Sequence, residues 1–360
     1  MTLALFALNC SPQGTARREG AHDSPVRRIA FGSCAFQWVE QPIWKAVVAT
    51  EPDLWLFLGD AIYGDFDGEK VVSVTPESLQ AEWQKLADHR DWQYLTANVP
   101  VMAVWDNHDY GHHSAGEEFP LRAESQRLFL DFFGEEMGSS RRESPGIHDA
   151  RVLGPVGRRV QIILLDTRYF KGAPVLADRP EGAEGSLGKY APNEDPTVTL
   201  LGEEQWRWLE AQLREPAELR LIASSTQIVA DWKGMDEWGN YPHERRKLFG
   251  LIAQTGAEGV LFLSGNVHFS EVSQTEEGPY PLIDFSSSGL THVNKEYAEV
   301  ENAYRIAGPF VEVNFGLVEI DWETDNSPVI TLSSIGRDGT VAFEHRISVN
   351  DLRPDVPRRE

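Results

Sequence analysis

Six short segments carry the side chains that could do chemistry. They are Gly32-Ser33-Cys34, Gly59-Asp60-Ala61-Ile62-Tyr63, Asp106-Asn107-His108-Asp109, Asp166-Thr167-Arg168, Ser224-Ser225-Thr226-Gln227 and Ser264-Gly265-Asn266-Val267-His268. Together they offer carboxylate, amide and phenol oxygens, imidazole nitrogen and a soft thiol, a mixture suited to a transition metal beside a harder cation. A carboxylate that bridges two such cations lets the pair clamp the oxygens of a phosphoryl displacement. In Gly59-Asp60-x-x-Tyr63, a turn after a strand can aim residues three apart at one ion, which casts Asp60 as the bridge and Tyr63 as a terminal phenolate. Each residue also has a blander reading. A lone cysteine after a strand is usually an inert hydrophobe, an aspartate or asparagine caps a turn, and a histidine sits hydrogen-bonded in a core. Covalent catalysis by the chain itself is disfavoured: no Ser or Cys sits with a base in a nucleophile motif, and Gly32-Ser33-Cys34 lacks the strand-to-helix elbow.

What lifts these residues above the bland reading is where they fall. Each segment follows an apolar run: Arg28–Phe31, Leu54–Leu58, Val99–Trp105, Val160–Leu165, Leu219–Ala223 and Gly259–Leu263. Short apolar runs without alternation predict strands buried on both faces. Between them lie predicted helices at Pro76–His89, Leu121–Phe133, Glu203–Arg214 and His243–Gln254, the first opened by the cap Thr75 and a first-turn proline. Beyond Pro279 the pattern changes to strands at Val311–Trp322, Val329–Ser334 and Val341–Ile347, while Lys171–Thr199 has no assignable structure. The expectation is therefore an α/β sheet whose carboxyl-end loops form one polar rim, the usual place for a ligand. Trp206, Trp208 and Leu209 read as helix packing, Asp231, Trp232 and Trp238 as the lining of an entrance, and His112 and His113 as surface loop.

Composition narrows the partners. With 33 basic and 56 acidic residues the chain carries a formal charge of −23, which argues against nucleic acid and against an anionic lipid surface. No apolar run approaches the roughly 20 residues of a membrane span. Two cysteines, Cys10 and Cys34, exclude a disulfide scaffold. The stretch Met1–Cys10 is apolar and uncharged and precedes a polar segment. It reads as the stub of an export signal with Cys10 available for lipid attachment, against an ordinary N-terminus of a cytoplasmic protein.

The order GSC, GDxxY, WDNHD, LDTRYF, LGxxQWxWL and SGxVH closely resembles the alkaline phosphatase D (PhoD-like) family of calcineurin-like metallophosphoesterases. The resemblance runs from about Arg28 to about His292. It implies a four-layer α/β sandwich, two mixed sheets flanked by helices, as one domain over 28–350 between a leader at 1–27 and a tail at 351–360. The family's separate N-terminal β-domain is expected to be missing. The resemblance further implies hydrolysis of small phosphate esters, mono- or diesters, by attack of a metal-bound hydroxide, with iron(III) and a divalent ion such as calcium. Cys34, Asp60, Tyr63 and His268 would hold the iron, and Asp60, Asn107 and Asn266 would face the second metal. His108 would protonate the leaving oxygen, Asp109 would orient His108, and Arg168 would meet the phosphate or stand behind the ligands. Asn107 and Asn266 replace aspartates usual in the family, and His113-Ser114 replaces an Asn-Asp pair. A shell with fewer carboxylates suits calcium less well. It leaves two rival expectations: anion binding without turnover on a degenerate site, or hydrolysis of sulfate or phosphonate esters.

Overall fold

The structure, a computed structural model, describes residues 24–178, 188–231, 234–299, 301–324 and 327–354. The proposed leader with Cys10, and Trp232, lie outside them. Two mixed sheets pack face to face. The first runs from edge to edge through Val341–Ser348, Val329–Gly336, Asn314–Asp321, Arg28–Gly32, Leu54–Leu58 and Val101–Val104, the last three parallel. The second runs through Arg305–Phe310, Ser270–Thr275, Leu282–Ser287, Val260–Ser264, Leu219–Ser224, Val160–Leu164 and Asp149–Leu153. Its four strands from Leu282–Ser287 to Val160–Leu164 are parallel. Phe31 and Phe285 meet edge to face across the two sheets, ring centroids 5.0 Å apart.

Helices cover the outer faces. Trp44 of Ile43–Ala49 and Trp92 of Arg90–Asn98 close over Trp55 and Phe57 of the first sheet. Pro76–Ala87 starts at a capping box on Thr75 and packs Trp83 against Phe132 of Arg122–Phe132. On the other side, Gly202–Leu213 buries Trp206 and Leu209, and Pro242–Thr255 lays Phe249 on Phe262 of the second sheet. The four layers expected from the sequence are therefore present.

The predicted strands and helices form within a few residues of their expected ends. Leu54–Leu58 is identical to its expectation, and every one of its residues is buried. Several elements were not legible. Ser270–Thr275 is polar in sequence yet buried inside the second sheet. The helices Ile43–Ala49 and Arg90–Asn98 are short, and the former has no side-chain cap to announce it. Within Lys171–Thr199 a small antiparallel pair forms between Val175–Leu176 and Tyr190–Ala191.

Two glycines let the strand-end loops approach. Gly59 has φ +96°, and a Cβ there would lie 2.4 Å from Asp106 Cβ. A Cβ on Gly265 would lie 2.5 Å from Ser33 Oγ, on the opposite sheet. Gly59→Ala should therefore destabilise by about 3 kcal/mol through strain and overlap. Gly134→Ala, with φ +72° but open space around it, should cost only about 1 kcal/mol. Urea unfolding of the two variants checks the difference.

Candidate metal centre

The site forms where loops from both sheets meet. Cys34 N–H donates to Gly59 O at 3.2 Å and Ala35 N–H to Asp60 O at 2.9 Å, which ties the first two loops together. Asn266 N–H donates to Ser33 Oγ at 3.3 Å, which brings in the loop of the second sheet. These contacts gather one sulfur, one carboxylate oxygen and one ring nitrogen, from Cys34, Asp60 and His268, all within 4.8 Å of one another. Cys34 is a free, buried thiol, 3.4 Å from Asp60 Oδ2, and takes a hydrogen bond from Ser288 Oγ at 3.1 Å.

The backbone at these residues is unusual. Cys34, Asp60, Asn266 and His268 have φ of +64°, +55°, +68° and +58°. Among the described residues only one other non-glycine, Glu51, lies in that left-handed region. Such conformations cost about 1–3 kcal/mol each and persist only where the surroundings over-determine them.

Tyr63 is held by Gln37, whose amide accepts Tyr63 N–H at 3.1 Å. Its hydroxyl lies 3.1 Å from His292 Nε2, and its ring stacks on His108 with centroids 4.2 Å apart. Asn107 is buried at the start of the short helix Asn107–Tyr110, beside His108, whose N–H donates to Asp60 Oδ1 at 3.2 Å. Asn266 Nδ2 donates to Asp236 O at 3.1 Å, which fixes the orientation of its amide.

Three expectations need correction. Asp109 does not orient His108. Its carboxylate accepts the backbone N–H groups of Asp60, Ile62 and Asp106 at 2.5, 3.0 and 2.9 Å, so it clamps two loops to each other. The partner of His108 is Asp65, 2.5 Å from Nδ1, a residue with no sequence signal beyond its place two after Tyr63. Of its two expected roles, Arg168 is not open to a substrate phosphate, which leaves the place behind the ligands. It is fully buried, with Nε 2.7 Å from Asp106 Oδ1 and Nη1 2.5 Å from Asp236 Oδ2, and Lys171 also reaches Asp236 at 2.9 Å. The supposed entrance also fails: Trp238 is buried with its N–H on Ser224 Oγ, and Asp231 pairs with Arg245 and Tyr304. His112 and His113 are exposed, as expected, although the His113 ring comes within 6.3 Å of His108.

Electrostatics suit a cation. Burial, then the nearby Asp60, push the Cys34 thiol well above its ordinary value. Burial raises Asp60 to about 7 against the pull of His108, and burial lifts the Tyr63 phenol well above its usual range. Burial, then His292, press His268 well below an ordinary imidazole. The cluster thus holds acidic donors whose ionisation burial opposes, with an imidazole whose charging burial also opposes, and a bound cation would relieve the first penalty. His108 differs: burial lowers it, but Asp60 and the Asp65 hydrogen bond outweigh burial and raise it.

Two stability measurements follow. Asp109→Ala orphans three buried N–H groups, each worth about 1–3 kcal/mol, and should lower thermal stability by about 3 kcal/mol or more. Asp60→Gly relieves the left-handed strain but leaves the His108 N–H without its acceptor. The two effects should cancel to within about 1 kcal/mol in chelator-stripped protein, while any metal content of the natural protein is lost, read by denaturant unfolding beside elemental analysis.

Comparisons with known proteins agree with this architecture. Alkaline phosphatase D of Bacillus subtilis (strain 168) is 24% identical over 297 residues, covering 73% of this chain and 50% of that protein. The chain thus spans about half the length of this curated relative. The solved structure of PhoD superposes with a TM-score of 0.66 at 17% identity, over 94% of this chain and 74% of the other, a likeness of fold. Residues 29–323 match the PhoD-like phosphatases as a family, and the chain belongs to that family.

Proposed function

We propose that this chain hydrolyses phosphate esters at a metal centre. Cys34, Asp60, Tyr63 and His268 would hold one cation, iron(III) as first choice. Asp60, Asn107 and Asn266 would face a second, divalent one, calcium or another. The observation that carries this reading is backbone strain: four of the five left-handed non-glycine residues among those described are Cys34, Asp60, Asn266 and His268. Strain concentrates where a site must hold groups in a fixed geometry. Cations bound there would make water acidic and neutralise charge on the transferring phosphoryl group.

The chain's own residues supply the rest. Asp65 occupies His108 Nδ1, so the nitrogen left to serve a substrate is Nε2. With its side chain 20% exposed, His108 sits at the edge of the cluster rather than beneath it. From there it donates a proton to the departing oxygen as the P–O bond breaks, a contribution of about 10²–10⁴-fold. Asp109 keeps Asp60 and His108 in register by holding both loops. Arg168 and Lys171 neutralise Asp106 and Asp236 below the site, so these carboxylates do not repel an anionic ester.

His108→Ala should slow esters of poor leaving groups by about 100-fold or more, and esters of good leaving groups by less than about ten-fold. Equal losses on both would remove His108 from the acid role. The assay is run on a panel of phosphate mono- and diesters, with sulfate and phosphonate esters alongside and elemental analysis of the same preparation. Protein that carries no transition metal and turns over no phosphate ester, with or without added metal, would overturn the reading in favour of anion binding alone.

A further inference from the structure

A group of aromatic rings outside the ligand set runs from the metal centre to the surface. Phe36 stacks on His292 with centroids 3.9 Å apart and planes 14° apart, and it lies 4.4 Å from the Tyr63 ring. Trp38 follows at 5.3 Å and 21° from Phe36, and Phe66 lies 5.8 Å from Trp38 and 6.4 Å from Phe36. Phe36, Trp38 and Phe66 are all half-buried. Lys85 places its ammonium 5.5 Å from the Trp38 ring centre, and Val71, paired in a bridge with Phe66, is 74% exposed.

Phe36, Trp38 and Phe66 lie outside the main buried core of the described residues and the side chains packed against it. They also lie close to the site and are stapled to it. Gln37, between Phe36 and Trp38, accepts Tyr63 N–H and donates to Glu82 at 2.7 Å, and Glu82 takes the Lys85 ammonium at 2.7 Å. The Trp38 and Tyr63 rings meet edge to face with centroids 6.3 Å apart, so Trp38 neighbours a residue of the proposed ligand set. Phe36 is stacked with both His292 and Trp38 and so backs the group, which leaves the rings of Trp38 and Phe66 to meet a flat partner; base–aromatic stacking is sequence-tolerant and substantial. The fringe mixes Glu40, Asp67 and Glu69 with Lys70 and Lys85, which is not the basic cluster that an anionic membrane attracts.

Resting on the phosphoesterase reading of the same centre, we propose that Phe36, Trp38 and Phe66 form a stacking platform for the leaving group. On this proposal the preferred substrates are phosphate esters of aromatic groups, whether aryl or nucleoside. Trp38 determines that preference without touching the reacting atoms.

The test separates this platform from the reaction. In rate assays on aryl and alkyl esters of matched leaving-group acidity, Trp38→Ala should raise KM for the aryl ester by about ten-fold and leave kcat/KM for the alkyl ester within about two-fold. Trp38→Phe should restore most of the loss. Calorimetric binding of benzylphosphonate and ethylphosphonate, which need no turnover, should show the aromatic ligand favoured by about ten-fold in the natural protein and not in Trp38→Ala. A nucleoside monophosphate beside phenyl phosphate distinguishes the two aromatic sources. Equal affinity for both phosphonates in the natural protein overturns the platform, whatever the hydrolysis result. An aromatic preference in binding without any hydrolysis keeps the platform and removes the phosphoesterase reading. Loss of co-sedimentation with phosphatidylcholine vesicles in Trp38→Ala, with no aryl preference to lose, assigns the patch to a membrane and also overturns the proposal.

Discussion

The arrangement at the rim depends on one buried carboxylate. Asp109 takes three backbone N–H groups from two loops that follow neighbouring parallel strands. In doing so it fixes the turn that carries Asp60 and the short helix that carries Asn107 and His108. Burial and the nearby Asp60 raise the Asp109 carboxyl, against those three donors, which favour its anion. Without that clamp the left-handed turn at Asp60 would keep only the bonds of its own carboxylate, to His108 N–H and to the Cys34 thiol, against its backbone strain. The same logic extends across the sheets, where Ser33 accepts from Gly289 and Leu290 and its hydroxyl takes Asn266 N–H.

Beneath the rim, charge is balanced in pairs that are largely shut off from solvent. Arg168 and Lys171 face Asp106 and Asp236, and this pairing holds Asp236 well below the usual carboxylate range. Ser225 adds a hydrogen bond to Asp106 Oδ1 at 2.8 Å. A buried pair of this kind adds little net stability compared with an apolar replacement, but breaking it leaves an uncompensated charge. It stands as a floor: it carries Asn266 through the Asp236 carbonyl and sets the potential under an incoming anion.

Much of this was legible in sequence because the chemistry sits at the ends of uniformly apolar strands. Leu54–Leu58 declares itself as a strand, and Gly59-Asp60 declares the turn after it. What sequence could not show were partners made only by folding. Sequence leaves Arg168 between meeting the phosphate and standing behind the ligands, because its carboxylates, Asp106 and Asp236, lie far away along the chain. His292 gives no signal until Phe36 stacks on it and Tyr63 meets its ring. Ser270–Thr275 hides its strand character because it buries polar groups by pairing: Glu271 binds Gln227, Asn302 and Arg305, a cost that composition cannot reveal.

The junction at Ser33 has a consequence for biogenesis. Ser33 and Asn266 stand 233 residues apart and follow strands of opposite sheets, and the first sheet itself joins Arg28–Gly32 to strands as late as Val341–Ser348. On the proposed metal reading the ligand set would be complete only after nearly the whole chain has folded, and an ion bound there would stabilise only that docked form by mass action, so loading would favour correctly assembled topology over half-folded chains.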